Sequence, residues 1–516
     1  MSTGRLDIMA DRLERIAAVL ILVLVLAFVL GLTVSAYLGT SILNMDDVSG
    51  ENIEFYEDNI FLNLILLVLF LSALYLFYRH CDHIRIRRME TLLLCWYFCF
   101  GTAFIVSTKL RAPVYSDSFL VTYGAQRASL GDFAMLSENY FRRFPFQLGY
   151  VLYSEAFFRV MNVLLRGRPE GYAVLALQEV NLLWLMLQTH ALIEITGLLF
   201  SDGRVRKLLM LLSFFCLPPL LMITFLYGNI PAYACGALAV WMYLLYEKKE
   251  RVLYALLCMI ALTLAVTLKL NLLIFLVAIG GIWLLRSLRR RSLKSLLCLM
   301  LTVACVLTVK GLPQKIYEKR IGIEYGDGIP MIAWMAMGFD EGHAAPGWYR
   351  EEHTVTAFEE NNYDPEATAA LAKEALAERV GEFAAHPRLA LRFFGDKLRS
   401  QWNEPSYGSL WLNQVQLSYS EKGAFYRVLC ERGAKRTFAV MNQFQQLVFL
   451  GVLIALIWML KKKDLLRTLL PLILLGGLLY HLLFEAKSQY AMPYFLLMLP
   501  LAAYGFFRLF RKIEQR

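Results

Sequence analysis

The run Ile16–Leu38, IAAVLILVLVLAFVLGLTVSAYL, contains no charged residue, and its reading decides the fold class. A helix rises about 1.5 Å per residue, so a run of this length crosses the roughly 30 Å hydrocarbon core of a bilayer. Comparable runs recur at Ile60–Tyr78, Leu92–Thr108, Gly149–Leu165, Tyr172–Phe200, Leu208–Tyr227, Ile230–Tyr246, Val252–Leu268, Leu270–Leu285, Leu296–Val309, Phe438–Leu460, Leu465–Phe484 and Ala491–Phe507. They do not alternate apolar with polar residues, which excludes a β-barrel. The expectation is an all-α polytopic membrane protein with about 12–13 transmembrane helices. Composition agrees: 58% of the 516 residues are hydrophobic and 18% are charged, against roughly 25% charge in soluble domains.

The net charge of +10 does not indicate nucleic acid, because the basic residues cluster beside helix ends. These clusters are Arg5, Arg12 and Arg15; Arg79, Arg85, Arg87 and Arg88; Lys248, Lys249 and Arg251; Arg286 to Lys294; Lys461 to Lys463; and Arg508, Arg511 and Arg516. By the positive-inside rule they are cytoplasmic, as are both termini. The alternate loops then lie outside. They carry Asp46, Asp47, Glu51, Glu54 and Glu57, the stretch 109–145, and the polar segment 310–437. One place resists this parity: two apolar runs separate the outer stretch from Arg204, Arg206 and Lys207, where an odd number of crossings is needed. Gly149–Leu165, which contains Glu155 and Arg159, is therefore read as a partial or tilted span.

Four parts follow from this pattern: an N-terminal helix pair (1–91), a membrane core (92–309), a mixed, mostly helical outer segment (310–437) and C-terminal membrane helices (438–516). Within the outer segment, Pro365–Phe383 reads as an amphipathic helix capped by Asp364, and a second helix runs from His386–Pro387 to Trp402. The patch IPMIAWMAMGF (329–339) reads as a short helix at the membrane surface. The cysteines imply no disulfide framework, and Cys95 and Cys99, four apart on one helix, are expected as small core residues. The first helix is too long for a signal peptide and lacks a small-residue cleavage site, so it is read as an anchor.

The chemistry concentrates in 109–145, KLRAPVYSDSFLVTYGAQRASLGDFAMLSENYFRRFP. Asp117 stands there in the company of Tyr115, Tyr123, Arg127, Asp132, Glu138, Tyr140, Arg142 and Arg143. Other outer helix ends carry Tyr227–Gly228–Asn229, Lys269–Asn271, and Glu485, Lys487, Gln489 and Tyr490. Lys269 lies between two apolar runs, a costly place for an ammonium unless it meets an anion; snorkelling is the alternative. A carboxylate, cations and aromatic rings at a lipid border suit a lipid-linked sugar. The carboxylate takes the acceptor's proton, and the cations meet charge growing on a departing phosphate. Asp117 with Asp132 or Glu138 is a candidate pair for a divalent cation. His190, His343, His386 and His481 lack ligand spacing and read as packing or hydrogen-bonding residues. Trp334, Trp348, Trp402 and Trp411 suit either sugar stacking or interfacial anchoring, and Arg142–Arg143 either a phosphate or lipid headgroups.

The order YSDSF, YFRRFPFQLGY, FLYGNIPA, TLKLN and FEAKSQYAMPYFLLMLPLAAYG resembles the GT-C class of membrane glycosyltransferases. Within that class it resembles the bacterial relatives of protein mannosyltransferases and lipid A aminoarabinose transferases, over roughly 92–507. That resemblance implies an inverting transfer from a polyprenyl-phosphate sugar to an acceptor hydroxyl on the outer face of a bacterial plasma membrane, with Asp117 as base. It implies substrate-binding roles for Tyr140, Lys269, Glu485 and Tyr490, to which the residues themselves add Tyr115, Arg142, Arg143, Asn229 and Lys487 as candidate substrate-binding groups. Pro145 matches the family's proline, and Glu485 and Tyr490 match its closing acid and aromatic. The chain departs from the family in two extra helices before Asp117, in Gln489 where an arginine is common, and in Asn229 where some relatives carry an acid. A flippase of lipid-linked sugars is the rival reading, and it predicts inverted repeats and broken mid-membrane helices; neither is evident in the sequence.

Overall fold

The computed structural model describes residues 3–44, 50–112, 116–165, 171–417 and 421–515. Asp46, Asp47, Tyr115 and Arg516 lie outside the described residues, as does the side chain of Arg5. Among those described, nine helices are long and apolar enough to cross a membrane: Asp11–Leu38, Ile60–His83, Ile86–Thr108, Gly171–Leu199, Leu270–Arg290, Leu293–Ile321, Ala434–Lys462, Leu466–Leu483 and Ser488–Glu514. The protein is a multi-pass membrane protein. Its outward side chains, such as Leu69 and Val277, are 60% and 72% exposed, as expected of surfaces that lipid covers.

Three further elements pack into the bundle. Asn229–Lys249 and Val252–Leu268 are continuous helices. The third, expected as one run Leu208–Tyr227, is broken into Gly203–Phe215 and Leu217–Met222. Pro218 and Pro219 sit at the break and cannot donate to the preceding turn. Buried amides meet the freed carbonyls: Asn413 donates to Leu221 O at 2.8 Å and Asn181 to Ile223 O at 3.0 Å.

Gly149–Leu165 is not a passage. The helix Leu148–Leu164 begins against Thr267, whose carbonyl would lie 1.8 Å from a Cβ on Gly149. Midway along it, Glu155 accepts from Arg320 at 3.0 and 3.1 Å and from the Tyr317 hydroxyl. Near its end Asn162 donates to Ser129 Oγ at 2.9 Å. At the start of Gly171–Leu199, Arg111 lies over the Tyr172 ring, beside the end of Ile86–Thr108. The helix therefore lies along one end of the bundle, and the next candidate span is Gly171–Leu199. Its buried acid is affordable because Arg159, Arg320 and Tyr317 surround it.

The basic clusters gather at the opposite end. Arg15, Arg286, Arg289 and Lys461–Lys463 border one hollow, and Arg289 is paired with Asp11 and Glu14. The other end carries the polar segment. There Pro365–Ala385 is capped by Asp364, which accepts from the backbone of Glu366 and Ala367. Pro387–Trp402 and Met331–Gly338 follow as the spacing predicts. A two-stranded antiparallel ladder, Gly39–Leu43 with Ile53–Glu57, joins the first two helices at this end. Cys95 and Cys99 depart from expectation: both are exposed, because the buried face of Ile86–Thr108 is formed by Leu93, Tyr97, Phe100 and Phe104.

Candidate functional site

A cavity of about 850 Å³ opens at the end opposite the basic clusters. Of the residues singled out in the sequence, Asp117, Asn229, Lys269, Glu485, Lys487 and Tyr490 all border it. They come from four separate stretches of chain, and the local structure explains how each arrives. Asp117 lies in the first turn of Ser116–Ser129, the positive end of a helix, which favours an acid. Two residues anchor that helix: Ser118 and Thr122 donate to the Leu226 carbonyl at 3.2 and 2.9 Å. The carbonyl is available because the broken passage has left helical geometry there.

The next residue, Tyr227, is the hub of the site. Its hydroxyl donates to Asp117 Oδ2 at 3.0 Å, accepts from Gln147, and lies 3.4 Å from the Tyr140 hydroxyl. Its ring carries the Lys269 ammonium 3.4 Å from the centroid, a cation–π contact. Gly228 follows with φ +80°, a left-handed conformation that few other residues adopt without cost. It turns the chain so that Asn229 opens the next helix. Lys269 occupies the turn between Val252–Leu268 and the 3₁₀ turn Leu270–Leu272. Lys487 immediately precedes Ser488–Glu514. Three α-helices, Ser116–Ser129, Asn229–Lys249 and Ser488–Glu514, thus start at the cavity besides the Leu270–Leu272 turn, and their N-terminal N–H groups and dipoles favour an anion there.

Carboxyls and ammonium groups share the cavity wall, and burial perturbs one of each. Burial pushes the Lys269 ammonium down to about 7, although Asp117 and Glu485 pull it back up. Burial pushes the Glu485 carboxyl up to about 7; Lys487 opposes that shift and Glu51 adds to it. Glu485 also accepts from the Tyr490 hydroxyl at 3.3 Å. Lys487 is ion-paired with Glu51, which the loop between the first two helices supplies. Perturbed groups of opposite type in one cavity are characteristic of functional sites.

The polar segment roofs the cavity through Trp334, His343, Tyr349, Glu351 and Trp411. It is tied down by Lys397, which donates to the carbonyls of Phe484, at 2.8 Å, and Gly338. Of the four tryptophans considered, Trp334 and Trp411 face the cavity, whereas Trp348 bonds Ser400 and Trp402 packs on Tyr494.

Other expected residues lie elsewhere. Tyr140 is buried behind Tyr227 and does not border the cavity. Arg143 pairs with Glu359 at 3.2 Å, and Arg142 lies over Tyr363; both arginines hold the polar segment and neither borders the cavity. Asp132 is paired with Arg127 at 2.7 Å, and it and Glu138 are likewise absent from the cavity wall. Among the described residues no three His, Cys, Asp or Glu side chains group as metal ligands. Sequence reading passed over Glu51, Gln147, Tyr349, Glu351 and His481 as site residues. Only Gln147 carried a signal, through its place in the YFRRFPFQLGY motif.

Compared with protein-family models and with curated proteins, the chain finds no match among either.

Proposed function

We propose that the protein is an inverting glycosyltransferase that moves a sugar from a polyprenyl-phosphate donor to an acceptor hydroxyl. The observation that carries this reading is the convergence of Asp117, Tyr227, Lys269, Glu485, Lys487 and Tyr490 on one cavity at the end of the bundle away from the basic clusters. By the positive-inside rule the basic end is cytoplasmic, so the cavity faces outward. The resemblance to GT-C glycosyltransferases supports the same assignment.

In the reaction, Asp117 takes the proton of the acceptor hydroxyl while that oxygen attacks the anomeric carbon. The carbon–oxygen bond to phosphate breaks, the electron pair stays on the phosphate, and the centre inverts. Tyr227 holds one oxygen of Asp117 and so fixes the direction of the other. The phosphate needs no proton at departure, because Lys269, Lys487 and the three helix starts meet its charge. An arriving phosphate also favours the ammonium form of Lys269, which burial alone disfavours.

A second reading, a flippase that moves lipid-linked sugars without bond chemistry, draws support from the broken passage Gly203–Met222. Against it, the break is tied to neighbouring helices by buried amides. The test is release of polyprenyl phosphate from a radiolabelled polyprenyl-phosphate sugar pool with envelope acceptors. Asp117→Asn is expected to abolish release while still binding donor. Binding without release by the native chain, across donors and acceptors, would favour the flippase.

A further inference from the structure

We propose that Asn229, Asn271, His481 and Gln489 form a subsite that binds the sugar ring of the donor and selects neutral, hydroxyl-rich sugars. The inference rests on the transferase reading for the identity of the ligand that carries the ring. All four residues border the cavity. Asn229, His481 and Gln489 are only 1%, 2% and 4% exposed. Each of the four keeps a buried polar atom with no hydrogen-bond partner: Asn229 Nδ2, Asn271 Oδ1, His481 Nε2 and Gln489 Oε1. What sets these four apart from other unmet polar atoms is their place together on the wall of one cavity, where a bound molecule can reach them. Leucine, methionine or phenylalanine would fill the same space without the cost, so packing does not explain them.

The chemistry of the set identifies what satisfies it. His481 Nδ1 faces the Glu485 carbonyl at 3.3 Å; it therefore carries the proton and leaves Nε2 an acceptor. The set thus offers acceptors and a donor together. A phosphate only accepts and leaves Asn271 Oδ1, His481 Nε2 and Gln489 Oε1 unmet. A hydroxyl both donates and accepts. Turning Asn271 or Gln489 over exchanges its oxygen for its NH₂ and leaves the set mixed; turning Asn229 over leaves four acceptors, which hydroxyls satisfy and a phosphate does not, so the conclusion does not depend on amide orientation.

Placement agrees. Asn271 stands two residues after Lys269 and Gln489 two after Lys487, so each amide neighbours a cation along the chain at a helix start. A phosphate at the lysines brings its attached ring against the amides. The subsite itself is uncharged, and the carboxyls that border the same cavity, Asp117 and Glu485 among them, oppose a ring bearing its own carboxylate.

The experiment measures binding of a ten-carbon prenyl-phosphate hexose and of the same prenyl phosphate without sugar to the full chain in detergent. It compares the native chain with Asn229→Leu and Gln489→Met. The native chain is expected to bind the hexose conjugate at least about tenfold more tightly than prenyl phosphate. Each variant should lose that preference by about tenfold and hold prenyl phosphate within about twofold of native. Both variants should melt no lower than the native chain, since each removes an unmet buried polar group.

Equal losses for the two ligands would overturn the inference in favour of a phosphate site. A sugar preference absent from the native chain, or unchanged in the variants, would overturn it outright. If a variant does not fold, Asn271→Leu at the less buried position provides the same readout. The two proposals fail differently: sugar preference with no turnover removes the transferase and leaves the subsite, while turnover with an unaltered preference in the variants removes only the subsite.

Discussion

Replacing Tyr227 by phenylalanine tests the architecture of the site most directly. The substitution deletes one oxygen and keeps the ring. Lost are the hydrogen bond to Asp117 Oδ2 at 3.0 Å, the bond from Gln147 and the contact with Tyr140. The ring that carries Lys269 remains. A hydrogen bond to a charged group is worth about 1.5–3 kcal/mol. If Asp117 is productive only when held, that converts to a loss of about 10- to 100-fold in turnover. The same change should leave donor affinity within about threefold, because the cations are untouched. Release of polyprenyl phosphate under single-turnover conditions, with donor binding measured separately, gives both numbers. Tyr227→Leu should weaken donor binding as well, since it removes the cation–π contact, worth about 0.5–2 kcal/mol. In an Asp117→Asn background, Tyr227→Phe should add little, because the two side chains act as one unit. Native turnover in Tyr227→Phe, or full additivity with Asp117→Asn, would refute the claim that Tyr227 acts by orienting Asp117.

Three other outcomes follow from the same geometry. Glu485 is protonated more readily folded than unfolded, so its burial leaves stability intact below about pH 4.5 and erodes it as pH rises towards about 7. Since the cavity leaves the group partly accessible, Glu485→Gln should recover about 1–2 kcal/mol at pH 8 and almost nothing at pH 4.5, read as a difference in melting temperature; an equal gain at both pH values would refute this. A Cβ on Gly505 would come within 1.9 Å of the Gly451 carbonyl, where Ala434–Lys462 and Ser488–Glu514 pack backbone to backbone. Gly505→Val should therefore cost about 1–3 kcal/mol or more, and unchanged melting would contradict the close packing. Cysteines placed at Glu138 and Glu374 in a cysteine-free background should react with an impermeant maleimide on intact cells, and one at Arg251 only after permeabilisation; the reverse pattern would invert the orientation.

Much of the fold was legible in the sequence because a bilayer imposes a length and a composition on anything that crosses it. The apolar runs located the helices, and the Asp364 cap and the Pro387 start marked two helices of the polar segment to within about two residues. The failures have physical causes. Leu148–Leu164 is apolar enough to resemble a span; its place along one end depends on Arg320 and Tyr317, more than 150 residues away in sequence. The break before Leu217 lies within an apolar run and is made tolerable by Asn413 and Asn181 from other helices. The exposure of Cys95 and Cys99 depends on which face of their helix meets its neighbours.

The candidate site divides along the same line. Sequence by itself determined that Asp117, Lys269, Glu485 and Lys487 stand at helix ends, where a charge is affordable only beside water or a counter-charge. Only the tertiary structure decided that these ends meet in one cavity, that Tyr227 joins Asp117 to Lys269, that Glu51 answers Lys487, and that Arg142 and Arg143 turn away to Tyr363 and Glu359. Periodicity reports which residues a helix must hide from water. It carries no information about which distant side chain waits on the other side of the gap, because that is set by how the helices pack.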